Sequence, residues 1–280
     1  MRFFCITRDF LSDTNDLLRE ACEKRDIEYV DMEPDYFDYE SSLRPEAGDL
    51  MYRVATDISA SRLEQLLYHP GVVTFYATPL FGCYNQQELF VKNGLPMPKT
   101  VQTVTSNREQ LERHVAYLGG FPVVLKVLGS EGGVGVIKVE SQESLNSMMD
   151  YMRDSPYLME FFDHAVAYRL VVVGDDIVDT EARYPSDTDF RTNCAGSEAL
   201  GQVEPPEQAK RLALQAARAL GMEFGGADIL HATNGDMVIA EFNSPCFFAD
   251  QQKDYDVDIA GRMVEHLMNK AQSLPKTTQL

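Results

Sequence analysis

The chain has 280 residues, 44% hydrophobic and 25% charged, which describes a globular protein with core enough for two or three small units. Its formal net charge of −19 would repel nucleic acid and anionic membranes, so neither is expected as a partner. A polyanion bound by such a chain has to be held by local cations, backbone amides or metal.

No apolar run approaches the roughly 20 residues that span a bilayer. The opening Met1-Arg2-Phe3-Phe4-Cys5-Ile6-Thr7-Arg8-Asp9 meets charge too early for a signal peptide, so a cytoplasmic location is expected. The five cysteines are scattered and lack a Cys-x-x-Cys pair, which argues against a disulfide framework or a zinc site. A homo-oligomer is compatible with the sequence, and nothing in it fixes the assembly.

In chain order, residues 3–7, 27–31, 49–54 and 72–76 read as short strands, with helical spacing over 15–25 and around 63–67. This βαβ rhythm predicts a small parallel sheet. Residues 34–45, acidic and aromatic, read as a loop. A helix over 85–93 stops at Gly94, and Pro96-Met97-Pro98 marks a linker. A small α/β unit follows: helix 108–118, strand 123–128, a glycine-rich turn, strand 136–140 and helix 145–153. Beyond residue 158 come a hairpin over 169–183 centred on Gly174-Asp175, a long helix over 207–220, a second hairpin and a closing helix over 259–269. The expected units are 1–82, an N-terminal α/β domain; 83–157, a central lid with a glycine-rich phosphate loop; and 158–280, a C-terminal domain with a metal-binding hairpin.

The most informative stretch is 225–245. Asn234-Gly235 between apolar runs is a strong hairpin signal, and a two-residue turn there places Asp228 directly across from Glu241. Asn243 then projects from the same face. Like charges facing across a ladder destabilise it, so the arrangement asks for a cation. Two carboxylates and an amide suit magnesium rather than zinc. The plainer reading is a solvated strand end.

In Val123-Val124-Leu125-Lys126-Val127-Leu128-Gly129-Ser130-Glu131-Gly132-Gly133-Val134-Gly135, a lysine interrupts an apolar strand, which is costly unless an anion meets it. Ser130, Gly132 and Gly133 belong to a turn whose N–H groups can approach phosphate. It is neither a Walker A loop nor a dinucleotide fingerprint, because a second strand follows. A flap over phosphates and an ordinary hairpin both fit. Met159-Glu160-Phe161 reads as a core strand carrying one acid. Asp189-Phe190-Arg191-Thr192-Asn193 reads as a loop whose Arg191 and Asn193 could meet phosphate and metal. Arg169 and Arg183, on facing strands, are either holders of a substrate carboxylate or plain exposed charges. The five histidines stand alone and read as structural or exposed.

Taken together, these pieces resemble the ATP-grasp superfamily, and within it the RimK-like glutamate ligases, over roughly residues 94–267. The resemblance rests on Gly94-Leu95-Pro96-Met97-Pro98-Lys99-Thr100, the Lys126 strand and glycine loop, Met159-Glu160-Phe161, Asp189-Phe190-Arg191-Thr192-Asn193, Ala227-Asp228-Ile229-Leu230, Glu241-Phe242-Asn243-Ser244-Pro245 and Asp258-Ile259-Ala260-Gly261. It implies an α/β ATP-grasp fold preceded by a small parallel-sheet domain. It also implies an ATP-dependent, ADP-forming carboxylate–amine ligase working through an acyl phosphate. Position by position, Lys126 would contact the phosphates, and the backbone of Glu160 and Phe161 would read the adenine edge. Asp228, Glu241 and Asn243 would hold magnesium, with two ions expected and manganese as a substitute. Arg191 and Asn193 would lie near the phosphates. The substrates implied are a carboxylate and an amine, small or peptidic, with an amino acid such as glutamate as the unit added.

Three features depart from the family. Gly82-Cys83 stands where an Asp-Lys pair is usual, Ala167-Tyr168 where a ribose-binding aspartate is expected, and Cys194-Ala195-Gly196-Ser197-Glu198 replaces a basic glycine-rich run. Rival readings are a kinase-like use of the same site and an ATP-binding partner module without turnover.

Overall fold

The computed structural model describes residues 1–40, 42–77, 85–127, 133–152, 156–192 and 199–273. Three sheets organise them.

The first sheet is parallel, in the order β2-β1-β3, from β1 (Arg2–Ile6), β2 (Glu28–Met32) and β3 (Leu50–Arg53). Helix α1 (Ser12–Glu23) lies between the first two strands and α2 (Ile58–Leu67) follows the third. Residues 72–76, expected as a fourth strand, make only the single bridges Leu50 to Val73 and Tyr76 to Met222. Side-chain bonds, one local and two from the far end of the chain, occupy the backbone there. The Thr74 hydroxyl takes the Tyr76 N–H at 3.3 Å, and the Lys270 ammonium takes the Thr74 and Tyr76 carbonyls at 2.9 Å each.

Helix α3 (Gln86–Lys92), capped by the Asn85 side chain, leads into a second sheet. It consists of β4 (Thr100–Val101), then after α4 (Arg108–Leu118) β5 (Val123–Val127) and β6 (Val136–Val139), and after α5 (Gln142–Tyr151) β7 (Pro156–Glu160). Its order is β4-β7-β5-β6, all antiparallel. Leu125, Val139 and Leu158 meet Leu111, Val115 and Leu145 of the two helices. The two-residue period of a strand therefore turns Val124 and Lys126 to the opposite face.

The third sheet, in the order β10-β9-β8-β11-β12, is the largest. Its first strands are β8 (Val166–Val173), β9 (Asp176–Arg183) and β10 (Ala199–Gln202). Helix α6 (Glu207–Leu220), ended by Gly221 at φ 63°, leads to β11 (Phe224–His231) and β12 (Met237–Asn243). Ala227, Ile229, Ile239 and Phe242 bury one face against α6 and Phe90 of α3. The other face holds the candidate site. The chain closes with α7 (Ala249–Tyr255), which its polar sequence did not advertise, and α8 (Ile259–Ser273).

Helix α8 ties the ends of the chain together. Met263, Val264 and Leu267 share a core with Phe3 and Leu50 of the first sheet, Leu18 of α1, and Val171 and Phe224 of the third sheet. Lys270 also meets Glu223 at 2.7 Å, and His266 meets the same carboxylate at 3.0 Å. Removing one member of such a partly buried group leaves the others under-satisfied. Lys270→Met is therefore expected to lower stability by about 2 kcal/mol in urea unfolding.

Candidate active site

The Asn234-Gly235 hairpin differs from the predicted two-residue turn in a way that matters. The Ala232 N–H donates to the Asp236 carbonyl at 2.9 Å, so the loop holds three residues, Thr233, Asn234 and Gly235. Gly235 sits at φ 91°, where a side chain would be strained. The extra loop residue puts the ladder one step out of the predicted register from His231–Met237 to Ile229–Ile239. A bulge then places Ala240 as an unmatched residue and restores the register. Two offsets cancel, and Asp228 lies directly opposite Glu241, with Asn243 opposite Gly226.

Asp228, Glu241 and Lys126 line one cleft, between the second and third sheets, that is partly open to solvent. Apolar residues, among them Pro98, Val124, Met159, Phe161 and Leu230, line it together with the charged Lys126, Arg169, Arg183, Arg191, Asp228 and Glu241. An apolar wall with convergent polar groups is the usual form of a small-ligand site.

The electrostatics follow from this placement. Burial and the facing Asp228 push the Glu241 carboxyl up, against the opposing pull of Lys126 and Arg169. Asp228 is held in turn by Arg169, whose Nη1 lies 3.3 Å from each carboxylate oxygen, and by the Asn243 amide nitrogen at 3.2 Å. Arg169 stands directly across from Asp228 on β8. Asp228 chiefly, and Glu241 as well, raise its titration. Gly226 gives it room, since a Cβ there would lie 3.1 Å from Arg169 Nε and Nη2 and 2.8 Å from the Cys246 sulfur.

Other expected residues fall nearby. Arg191 is clamped by Asp189, with Nη2 to Oδ2 at 2.7 Å, and its Nη1 donates to the Gly133 carbonyl at 2.9 Å, tying the flap to the 189–192 loop. Phe161 meets the Phe190 ring at 5.6 Å, edge to face, and carries the Lys138 ammonium 4.5 Å from its centroid. The Glu160 N–H is committed to the Lys99 carbonyl at 2.9 Å, so any adenine contact at this residue falls to its carbonyl. Ser130, Gly132, Asn193 and Cys83 lie outside the described residues. Arg183 is spoken for by Glu181 on its own strand at 2.7 Å.

The sequence did not announce His164 as a cleft residue, yet it lines the cleft, and burial holds its titration down. Nor did it reveal the pairing of Arg169 with Asp228, because the two are 59 positions apart and only the β8–β11 register joins them.

The donor set fits a hard divalent ion bound together with a ligand. Among the described residues, no group of three or more His, Cys, Asp or Glu side chains converges. Asp228 and Glu241, joined by the Asn243 amide oxygen once its nitrogen leaves Asp228, would give a partial oxygen shell that phosphate oxygens could complete. With no ion present, facing acids are a liability. In urea unfolding with chelator, Glu241→Gln is expected to gain about 1 kcal/mol and Lys126→Met to lose a similar amount.

Comparison with known proteins places this geometry. Residues 84–267 match the RimK-like ATP-grasp domain. A protein of an Enterobacter species described as a probable alpha-L-glutamate ligase is 28% identical over 189 residues, covering 66% of this chain and 62% of that protein. A relative from Legionella pneumophila with the same description is matched over 64% of its length, so both matches cover less than two thirds of the relative. One from Citrobacter koseri is 25% identical with 97% of each chain aligned. Among solved structures, the ATP-grasp ligase PsnB complexed with minimal precursor shares the fold at a TM-score of 0.69 and 17% identity, over 96% of this chain and 99% of that one. A RimK domain ATP-grasp protein from Sphaerobacter thermophilus does so at 0.67 and 20% identity, over 96% and 100%. The α/β architecture is that of the ATP-grasp fold, and with residues 84–267 matched the protein belongs to the RimK-like ATP-grasp family.

Proposed function

We propose that the protein is an ATP-dependent ligase that joins a carboxylate to an amine with release of ADP and phosphate. The observation that carries this reading is the facing pair Asp228 and Glu241, set with Lys126 in a cleft lined by both charged and apolar residues. That lining suits a nucleotide, with adenine against Val124, Met159, Phe161 and Leu230 and the phosphates near Lys126 and Arg191. The family relationship and the names of the relatives support the same reading.

In the reaction, a substrate carboxylate oxygen attacks the γ-phosphorus and the bond to the ADP oxygen breaks, leaving an acyl phosphate. The amine nitrogen then attacks the acyl carbon, phosphate departs, and the nitrogen loses a proton. No protein nucleophile is required. Catalysis of this kind rests on positioning and neutralisation of charge. Lys126 and Arg191 would neutralise the transferring phosphoryl group, and the clamp of Arg191 by Asp189 and Gly133 would limit its freedom before ATP arrives. Asp228, Glu241 and Asn243 would hold magnesium, which when bound supplies positive charge to the phosphate oxygens. Tyr168 stands where the family resemblance leads one to expect a ribose-binding acid, and although the residue borders the cleft its side chain packs against the core beside α6.

The described names of the relatives favour glutamate as the amino acid added, and structural neighbours crystallised with precursor peptides favour a peptide acceptor. Among the described residues no helix is long and apolar enough to cross a membrane.

Hydroxylamine trapping tests the chemistry. With ATP, magnesium and pooled amino acids and acidic peptides, ADP release together with a hydroxamate is expected, and both should fall at least about 100-fold in Glu241→Gln. A stable phosphorylated product without hydroxamate would make the protein a kinase. Binding of ATP with no ADP release from any candidate would make it a binding module.

A further inference from the structure

The cation that the facing acids demand is supplied here by the protein itself. Arg169 reaches both oxygens of Asp228, and Asn243 adds its amide N–H, so the Asp228 oxygens of the candidate metal site are already engaged. The pair is sheltered, with the Arg169 and Asp228 side chains 18% and 17% exposed. Arg169 and Asn243 occupy up to three of the roughly four lone-pair sites of the Asp228 carboxylate, so a divalent ion that takes both of its oxygens displaces Arg169.

A released guanidinium in a half-buried site needs another anion. The neighbouring groups offer little. Cys246, 3.7 Å from Arg169 Nη2, is a buried thiol. Glu181, directly across from Arg169 on β9, is 4% exposed and holds Arg183 at 2.7 Å. The same pairing removes Arg183 from the pair of arginines that the sequence offers for a substrate carboxylate. Arg169 is the one whose partner a bound metal would take.

We propose that Arg169 is a metal-gated anchor: it neutralises Asp228 while the site holds no divalent ion, and passes to the carboxylate of the substrate when the ion takes Asp228. This rests on the ligase reading and adds a binding order to it. Metal and nucleotide come first, and the carboxylate site is created by their arrival. By linkage, a carboxylate must then tighten metal binding by the same factor as metal tightens carboxylate binding.

The test is the affinity for Mn2+ in the presence of ADP, read by electron paramagnetic resonance, with and without acetate as the carboxylate probe. Removing the competitor in Arg169→Met should tighten Mn2+ binding about tenfold. In the wild type, acetate should tighten it about fivefold, and in Arg169→Met it should have no effect. Arg169→Gln gives a second variant if the first fails to fold, and the acetate effect in the wild type needs no variant at all. Unchanged or weaker Mn2+ binding in the folded variants would overturn the gate, as would an acetate effect that survives the loss of Arg169. No acetate effect in the wild type would mean that Arg169 turns to Glu181 and is no substrate anchor. These outcomes leave the ligase reading standing, whereas failure of the wild type to bind Mn2+ with ADP would remove that reading too.

Discussion

Two carboxylates that face each other across adjacent strands, partly removed from water, set the terms for everything else in the cleft. Asp228 and Glu241 repel one another, and burial adds to the cost by holding the Glu241 carboxyl above its ordinary range. A fold keeps such an arrangement only if cations converge on it. Lys126 comes from the flap sheet and Arg169 from the neighbouring strand β8, so elements far apart in the chain are held in register by the charge they share. The site is unstable on its own terms, and its instability is the source of its affinity for a cation.

The rest of the architecture fixes the positions of these charges. Helix α6 and Phe90 cover the apolar face of the third sheet, which leaves the opposite face for Asp228 and Glu241. Helices α4 and α5 do the same for the second sheet and turn Lys126 toward the cleft. The linker and α3 clasp β12, with the Ile239 N–H donating to the Pro96 carbonyl at 2.9 Å and the Gln86 side chain accepting from the Phe242 N–H at 2.8 Å. Lys270 anchors the C-terminal helix to residues 74–76 and to Glu223. Arg191 joins the flap to the 189–192 loop, so closure over a nucleotide would begin from an organised state.

Much of this was legible in the sequence because it is local. Helix α6 follows the 3.6-residue period of its alanines and leucines, and the Gly174-Asp175 turn falls between strands of alternating pattern. The pairing of Asp228 with Glu241 was also readable, although by a simpler route than the molecule takes. A three-residue turn and a bulge at Ala240 cancel, and neither leaves a distinct mark in the sequence. Tertiary bonds overrode local pattern at residues 72–76, where Lys270 and the Thr74 hydroxyl occupy the backbone. Helix α7, with the sequence Ala-Asp-Gln-Gln-Lys-Asp-Tyr, has no apolar stripe to reveal it. The contact between Arg169 and Asp228 depends on which strands become neighbours, and no short-range pattern encodes that.

The central claim is that Asp228 and Glu241 share a divalent ion above the phosphates. Crystals grown with Mn2+ and ADP and measured for anomalous scattering test it most directly. The account predicts an anomalous peak about 2.1 Å from a carboxylate oxygen of each residue, with Lys126 on the adjoining phosphates. Bound ADP with the manganese peak elsewhere, and Arg169 still on Asp228, would contradict it.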